Sequence, residues 1–173
     1  MNSSAKDSWK SKIKPYPLKR MPLDFDALYD APEADKIRLG LIPQAMEDKW
    51  FIYFEESWLY FHRSWSGHCI YALRFVESAS GLRVVDSWVN REPEQYKETD
   101  VSYDRKLVGF LIDAFLLHKP AQFPKPADQP EPLPGVFQHG VVGRAYPEIK
   151  HKPESKFVML FRKLICVFKK KNN

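Results

Sequence analysis

Residues 48–77, DKWFIYFEESWLYFHRSWSGHCIYALRFVE, decide how the rest of the chain is read. Three runs rich in aromatic and β-branched residues alternate with short polar breaks, the pattern of strands joined by tight turns. Lys49–Glu55 reads as a strand, Ser57–Arg63 as its hairpin partner, Ser64–Gly67 as a turn, and His68–Glu77 as a third strand. A turn at Ser78–Gly81 then leads into a fourth, Leu82–Asn90. Together they form an antiparallel meander.

Downstream, REPEQYKETD (91–100) is a polar loop in which Thr99 or Asp100 can cap a helix running to about His118. Tyr103, Leu107, Phe110, Leu111, Ala114 and Leu117 recur at spacings of three and four, one apolar stripe that lays the helix across a sheet. Gly109 within it allows a close approach. Upstream, Leu23, Phe25, Leu28 and Tyr29 suggest a short helix, while Ile37, Leu39, Leu41 and Ile42 suggest a short strand or buried connector ended by Pro43. The fold class expected is α+β: a four-stranded antiparallel meander with one long helix across a face, an N-terminal arm and a C-terminal helix.

Four segments follow. Residues 1–21 are a basic, flexible or loosely docked arm, and 22–120 the α+β domain. Residues 121–153 form a linker or strap, since eight of the 14 prolines lie between Lys119 and Pro153. Residues 154–173 form a basic amphipathic helix, with Phe157, Leu160, Phe161, Leu164 and Phe168 on one side. That helix packs on the domain, binds a partner, or touches an anionic membrane peripherally.

The net charge of +5 is unevenly spread: residues 1–21 carry +5 and residues 150–173 carry +7, which leaves −7 for the residues between. Basic ends on an acidic body do not match a nucleic-acid-binding domain, whose positive charge sits on the folded surface. The first 20 residues lack the apolar stretch of a secretory signal, and Cys69 and Cys166 fit neither a disulfide framework nor a metal spacing. A cytoplasmic protein is expected, with no metal and no cofactor.

Strand alternation sorts the candidate site. Leu59, Phe61, Leu73 and Phe75 face the helix, and Cys69 and Tyr71 fall with them. Trp58, Tyr60 and His62 face the other way, with His68, Ile70, Ala72 and Arg74 on that opposite side. Aromatic rings with polar tips can stack on a base or sugar, Arg63 can bind phosphate or carboxylate in a forked geometry, and His62 can donate hydrogen bonds or act as acid or base. Trp58, Tyr60, His62, Arg63 and Trp65 are therefore the expected ligand-binding residues. Asn90 and Arg91 join them from the polar loop, beside Glu94, Gln95 and Tyr96; the competing interpretation of that loop is a capped connector that merely satisfies the strand end and the helix start. The competing interpretation has the N-terminal segment or the proline-rich strap covering these rings, with His62 a satisfied internal histidine. Glu55 and Glu56, adjacent at a hairpin tip, make a poor acid–base pair, and His68 beside Cys69 makes a doubtful dyad. Residues 140–143, GVVG, are too short for a phosphate cradle, and no P-loop, HExxH, paired CxxC, dinucleotide fingerprint or nucleophile elbow occurs.

The runs LYFHRSWSG (59–67) and VNREPEQYKETDVSYD (89–104) resemble a small uncharacterised bacterial domain associated with proteins of ADP-ribose metabolism, including ADP-ribosylglycohydrolase-like contexts. The resemblance covers about residues 46–120. It implies a bacterial or phage origin and a nucleotide-derived ligand, and it carries over no catalytic residue. Three functions are thus expected in turn. The first is a non-enzymatic binding or regulatory module for an ADP-ribose-like or other nucleotide-derived ligand. The second is a protein-interaction protein of the immunity or antitoxin type. The third is a small hydrolase using His62.

Overall fold

A computed structural model describes Trp9, residues 11–125 and residues 136–143. The C-terminal helix expected over 154–173 lies outside the described residues. Six strands form one antiparallel sheet: β1 (Arg20–Pro22), β2 (Leu28–Tyr29), β3 (Trp50–Glu55), β4 (Trp58–Arg63), β5 (Cys69–Ser78) and β6 (Gly81–Asn90). The last four are the expected meander, in spatial order β6-β5-β4-β3, and β1 and β2 both pair with the outer edge of β6. Helix α1 (Ala31–Leu39) precedes β3. Helix α2 (Val101–Phe110) runs on into a π-helical turn at Leu111–Leu116, and a short helix α3 (Val136–Val142) follows the proline-rich stretch.

The β3–β4 hairpin turns through Glu56 and Ser57, both at positive φ (47° and 69°), the backbone that a two-residue hairpin with right-handed strand twist requires. One face of the sheet is sealed by α2 and the π-helical turn. Leu107 and Leu111 of the expected stripe, joined by Val108 and Ile112, which lie outside it, share one buried cluster with Leu59, Phe61, Leu73 and Phe75. Asp100 caps α2 by accepting from Ser102 N–H at 2.7 Å. At Gly109 an added Cβ would meet the Phe25 ring at 3.7 Å, an ordinary contact.

Two expectations upstream are corrected. Residues 23–29 are not helical but run irregularly along β6, with Asp24 at φ 50° and only Leu28–Tyr29 in a strand: Leu23 N–H bonds Ser87 O, and Ala27 O accepts from Val84 N–H, so the segment satisfies the β6 edge. Ile37 and Leu39 belong to a helix, Ala31–Leu39, rather than to a strand or connector, whereas Leu41 beyond it does bridge Ile52 in antiparallel fashion. Asp30 and Glu33 form a reciprocal capping box, Asp30 Oδ1 accepting from Glu33 N–H at 2.9 Å and Glu33 Oε2 from Asp30 N–H at 3.1 Å, with Pro32 in the first turn. A third correction concerns β5. The register against β4 slips between Phe61 and His62, so Ile70 and Tyr71 both enter the helix-side core and Cys69 sits opposite His62.

Candidate functional site

The expected site residues separate into four places. Trp58, Tyr60 and His62 lie on the sheet face opposite α2. There the N-terminal segment runs across them: Trp9 stacks on Phe51 (5.4 Å between ring centroids), Ile13 packs on the Phe51–Tyr53 pair, and Tyr16 stacks on Tyr60 (5.2 Å) and meets Trp88 edge-on. Trp58 stacks on Tyr60 in turn. His62 is 1 % exposed, tilted against Phe51 and Tyr53. Its Nδ1 lies 2.9 Å from Gly67 O, and since a carbonyl only accepts, Nδ1 carries the proton. Nε2 is then an acceptor with no donor among the described residues. Burial lowers the imidazole pKa to about 4, partly offset by the bond to Gly67, so the ring is neutral near pH 7.

Arg63, the next residue, points to the helix side, as strand alternation requires. Its guanidinium lies over the Trp50 ring at 4.3 Å and Nη1 donates to Val141 O at 2.7 Å, so it ties α3 to the sheet. Trp50 Nε1 donates to the same carbonyl at 3.0 Å. His62 and Arg63 therefore do not converge on one ligand.

Asn90 and Arg91 belong to a corner at the end of β6. Asn90 Nδ2 donates to Cys69 O and to Gln95 Oε1, both at 2.8 Å, and its Oδ1 accepts from Glu92 N–H. Arg91 donates to Glu98 O and to Asp104 Oδ2 (2.6 Å). Asp104, fully buried on α2, also accepts at Oδ1 from Tyr71 OH (2.8 Å) and Tyr96 OH (2.6 Å). Burial, with the Asp104 charge beside them, raises both phenols above their ordinary range and keeps them protonated donors. The motif read as a functional loop is thus a self-satisfied knot joining β5, β6 and α2, and its residues are spent on one another.

Trp65 alone of the expected set faces solvent, 69 % exposed. Its Nε1 donates to Met46 O at 2.7 Å, which fixes the plane of the indole, and Lys49 Nζ lies 4.5 Å from the ring centroid. It flanks a groove of about 650 Å³, within the range of small-molecule sites. One wall is the N-terminal segment with Trp9, Ser11, Lys12 and Lys14. The other combines the 43–48 loop with Ser64, Trp65 and Ser66. Lys12 Nζ sits 4.2 Å from the Trp9 ring centroid, so each indole carries an ammonium over it. Asp48 Oδ2 accepts from the Gln44 and Ala45 N–H groups and shapes the loop. A separate cavity of about 300 Å³ lies between Leu41, Trp50, Phe115 and His118, against the π-helical turn.

Sequence reasoning missed Trp9, Lys12, Lys14 and Met46 as groove residues, and Lys49 as the cation over Trp65. The signal was present in WKSKIK (9–14): Trp9 and Ile13, four apart, mark a segment that docks, and the lysines between them mark its wet side. Among the described residues no three His, Cys, Asp or Glu side chains gather as metal ligands, and no helix is long and apolar enough to cross a membrane. Scans against family models, curated proteins and solved structures each find no match to this chain.

Proposed function

We propose that the protein is a non-enzymatic binding or regulatory module for a nucleotide-derived anion of the ADP-ribose type, and that the ligand lies in the groove between Trp9 and Trp65. What carries this reading is the pairing of an edge-fixed, exposed indole with the ammonium groups of Lys12 and Lys14 across one groove. A base has a π-face to stack on Trp65, stacking of this kind being worth about 1–3 kcal/mol per base. A diphosphate has charge for the lysines to meet, and Ser11 and Ser66 stand at the same walls as hydroxyl partners for a sugar. Of the sheet-face residues, His62 braces the Ser64–Gly67 wall through its bond to Gly67 O. Calorimetric titration of the full chain with ADP-ribose, NAD and ATP tests it. Saturable heat from at least one of them, lost in Trp65→Ala, is the expected result; silence at millimolar ligand ends the proposal.

A protein partner of the immunity or antitoxin type is the second reading, favoured by one observation. Met46 and Trp65, 75 % and 69 % exposed, stand side by side, joined by the indole N–H to Met46 O bond. Exposed Trp and Met are the residue types that anchor protein interfaces. A stable complex that Trp65→Ala dissolves, with none of the three small ligands bound, would select this reading. A hydrolase centred on His62 fits less well, because that ring is internal and its Nδ1 proton is committed to Gly67.

A further inference from the structure

We infer that the N-terminal segment is a movable wall of the groove, so that ligand binding and docking of this segment are one coupled event. The inference rests on the groove reading above and adds a mode of regulation to it. Between Trp9 and Leu18 the segment makes a single backbone hydrogen bond to the rest of the chain among the described residues, Lys14 N–H to Gly67 O at 3.1 Å. Its further contacts are made by side chains: Trp9 on Phe51, Ile13 on the Phe51–Tyr53 pair, and Tyr16 on Tyr60 and Trp88 with its hydroxyl 3.4 Å from that of Tyr53. The same residues present Trp9, Ser11, Lys12 and Lys14 to the groove on their other side.

The clasp is built into the loop that carries the opposite wall. Gly67 ends the tetrapeptide Ser64–Gly67, whose Trp65 and Ser66 line the groove. Its carbonyl takes two donors at once, Lys14 N–H from the segment and His62 Nδ1 from the sheet. Its Cα leaves no room for a side chain: with φ at +76°, an added Cβ would stand 1.8 Å from Lys12 O, a backbone atom that can yield only if the segment moves away. The two walls therefore meet at one glycine. When the segment is undocked the groove loses the Trp9 indole and both ammoniums, so the affinity measured for a ligand is the intrinsic one scaled by the docked fraction. Reciprocally, a ligand that bridges both walls raises that fraction.

The test uses the full chain, ADP-ribose as probe, and two readouts: heat of binding, and the rate of limited tryptic cleavage after Lys12. Saturating ADP-ribose is expected to slow this cleavage about tenfold or more in the wild-type chain. Gly67→Ala is expected to accelerate it without ligand and to weaken binding by about tenfold or more, one decade in the dissociation constant. Ile13→Ser, at a residue that packs under the segment and does not line the groove, is expected to act in the same direction and carries the test if Gly67→Ala does not fold. Wild-type binding that leaves the cleavage rate unchanged, or that is undiminished in every variant that folds, overturns the coupling and leaves the groove standing as a preformed site. Absence of ADP-ribose binding by the wild-type chain overturns the coupling, and overturns the groove reading with it when NAD and ATP are silent too.

Discussion

The two faces of this sheet are covered in different ways. On one, α2 and its π-helical extension bury Leu107, Val108, Leu111 and Ile112 and are pinned by Asp104 to Tyr71, Tyr96 and Arg91. On the other, a single stretch of chain, turned at Trp9–Lys12 and without regular structure beyond it, lies on a row of rings, Phe51, Tyr53, Tyr60 and Trp88, with one backbone clasp to the rest of the chain between Trp9 and Leu18 among the described residues. A helix satisfies its own backbone and spends its side chains on the core. An irregular segment leaves much of its backbone to water and holds on by stacking, each ring pair worth about 0.5–1.5 kcal/mol beyond its buried area. The first cover belongs to the fold, whereas the second can be exchanged at low cost, and the groove sits on the second.

The comparison can be broken most sharply at Asp104. Asp104→Ala leaves two phenols and a largely buried guanidinium without their shared acceptor and should lower global stability by roughly 3–5 kcal/mol, read as a shift in urea midpoint with unchanged slope. A loss below about 1 kcal/mol would mean that the knot does not lock the helix face.

Next in size is a pH effect on the opposite face. The His62 pKa falls from 6.5 to about 4 on folding, so the unfolded chain takes up this proton first as pH drops. Stability from this group is complete above about pH 6.5, declines as pH falls toward 4, and levels off below, a total of roughly 3 kcal/mol at 1.36 kcal/mol per pKa unit. Subtracting the pH profile of His62→Gln from that of the wild type isolates it, and equal slopes between pH 4 and 6.5 would remove His62 from the account.

Tyr16→Ala should cost less, about 1 kcal/mol, since the ring is already 43 % exposed and loses its stack on Tyr60. The cost should appear as faster cleavage near the N-terminus rather than as a large drop in melting temperature. Trp65→Ala, at an exposed site, should move stability by no more than about 0.5 kcal/mol. A larger loss would make Trp65 part of the fold rather than a surface for ligand.

The meander and α2 were legible because their signals are local and repeated: aromatic and β-branched runs broken by short polar turns in residues 48–77, spacings of three and four in residues 103–117, and Asp100 just ahead of the helix. Helix α1 was missed although D-A-P-E at 30–33 is a capping box with proline in the first turn; its stripe is faint, only Ala34 and Ile37 being buried. The side of Cys69 was misjudged because a bulge at Ile70 breaks strict alternation, and nothing in the local sequence marks a bulge of this kind. The aromatic cluster was correctly located on one sheet face, and the N-terminal segment that covers it was one of the two covers the sequence offered, but the choice between them was not derivable. Whether a chain end lies on a row of rings depends on contacts across more than 40 residues, such as Tyr16 on Tyr60. The adjacency of His62 and Arg63 suggested one site, while the pleat sends them to opposite faces.

Amide exchange of the intact protein, followed residue by residue, tests the contrast between the faces most directly. The account predicts that Leu111 N–H exchanges only through global unfolding, while Lys14 N–H, bonded to Gly67 O, exchanges about a hundredfold faster or more through local opening of the N-terminal segment. Equal protection at the two amides would contradict it, since both covers would then open only when the whole sheet does.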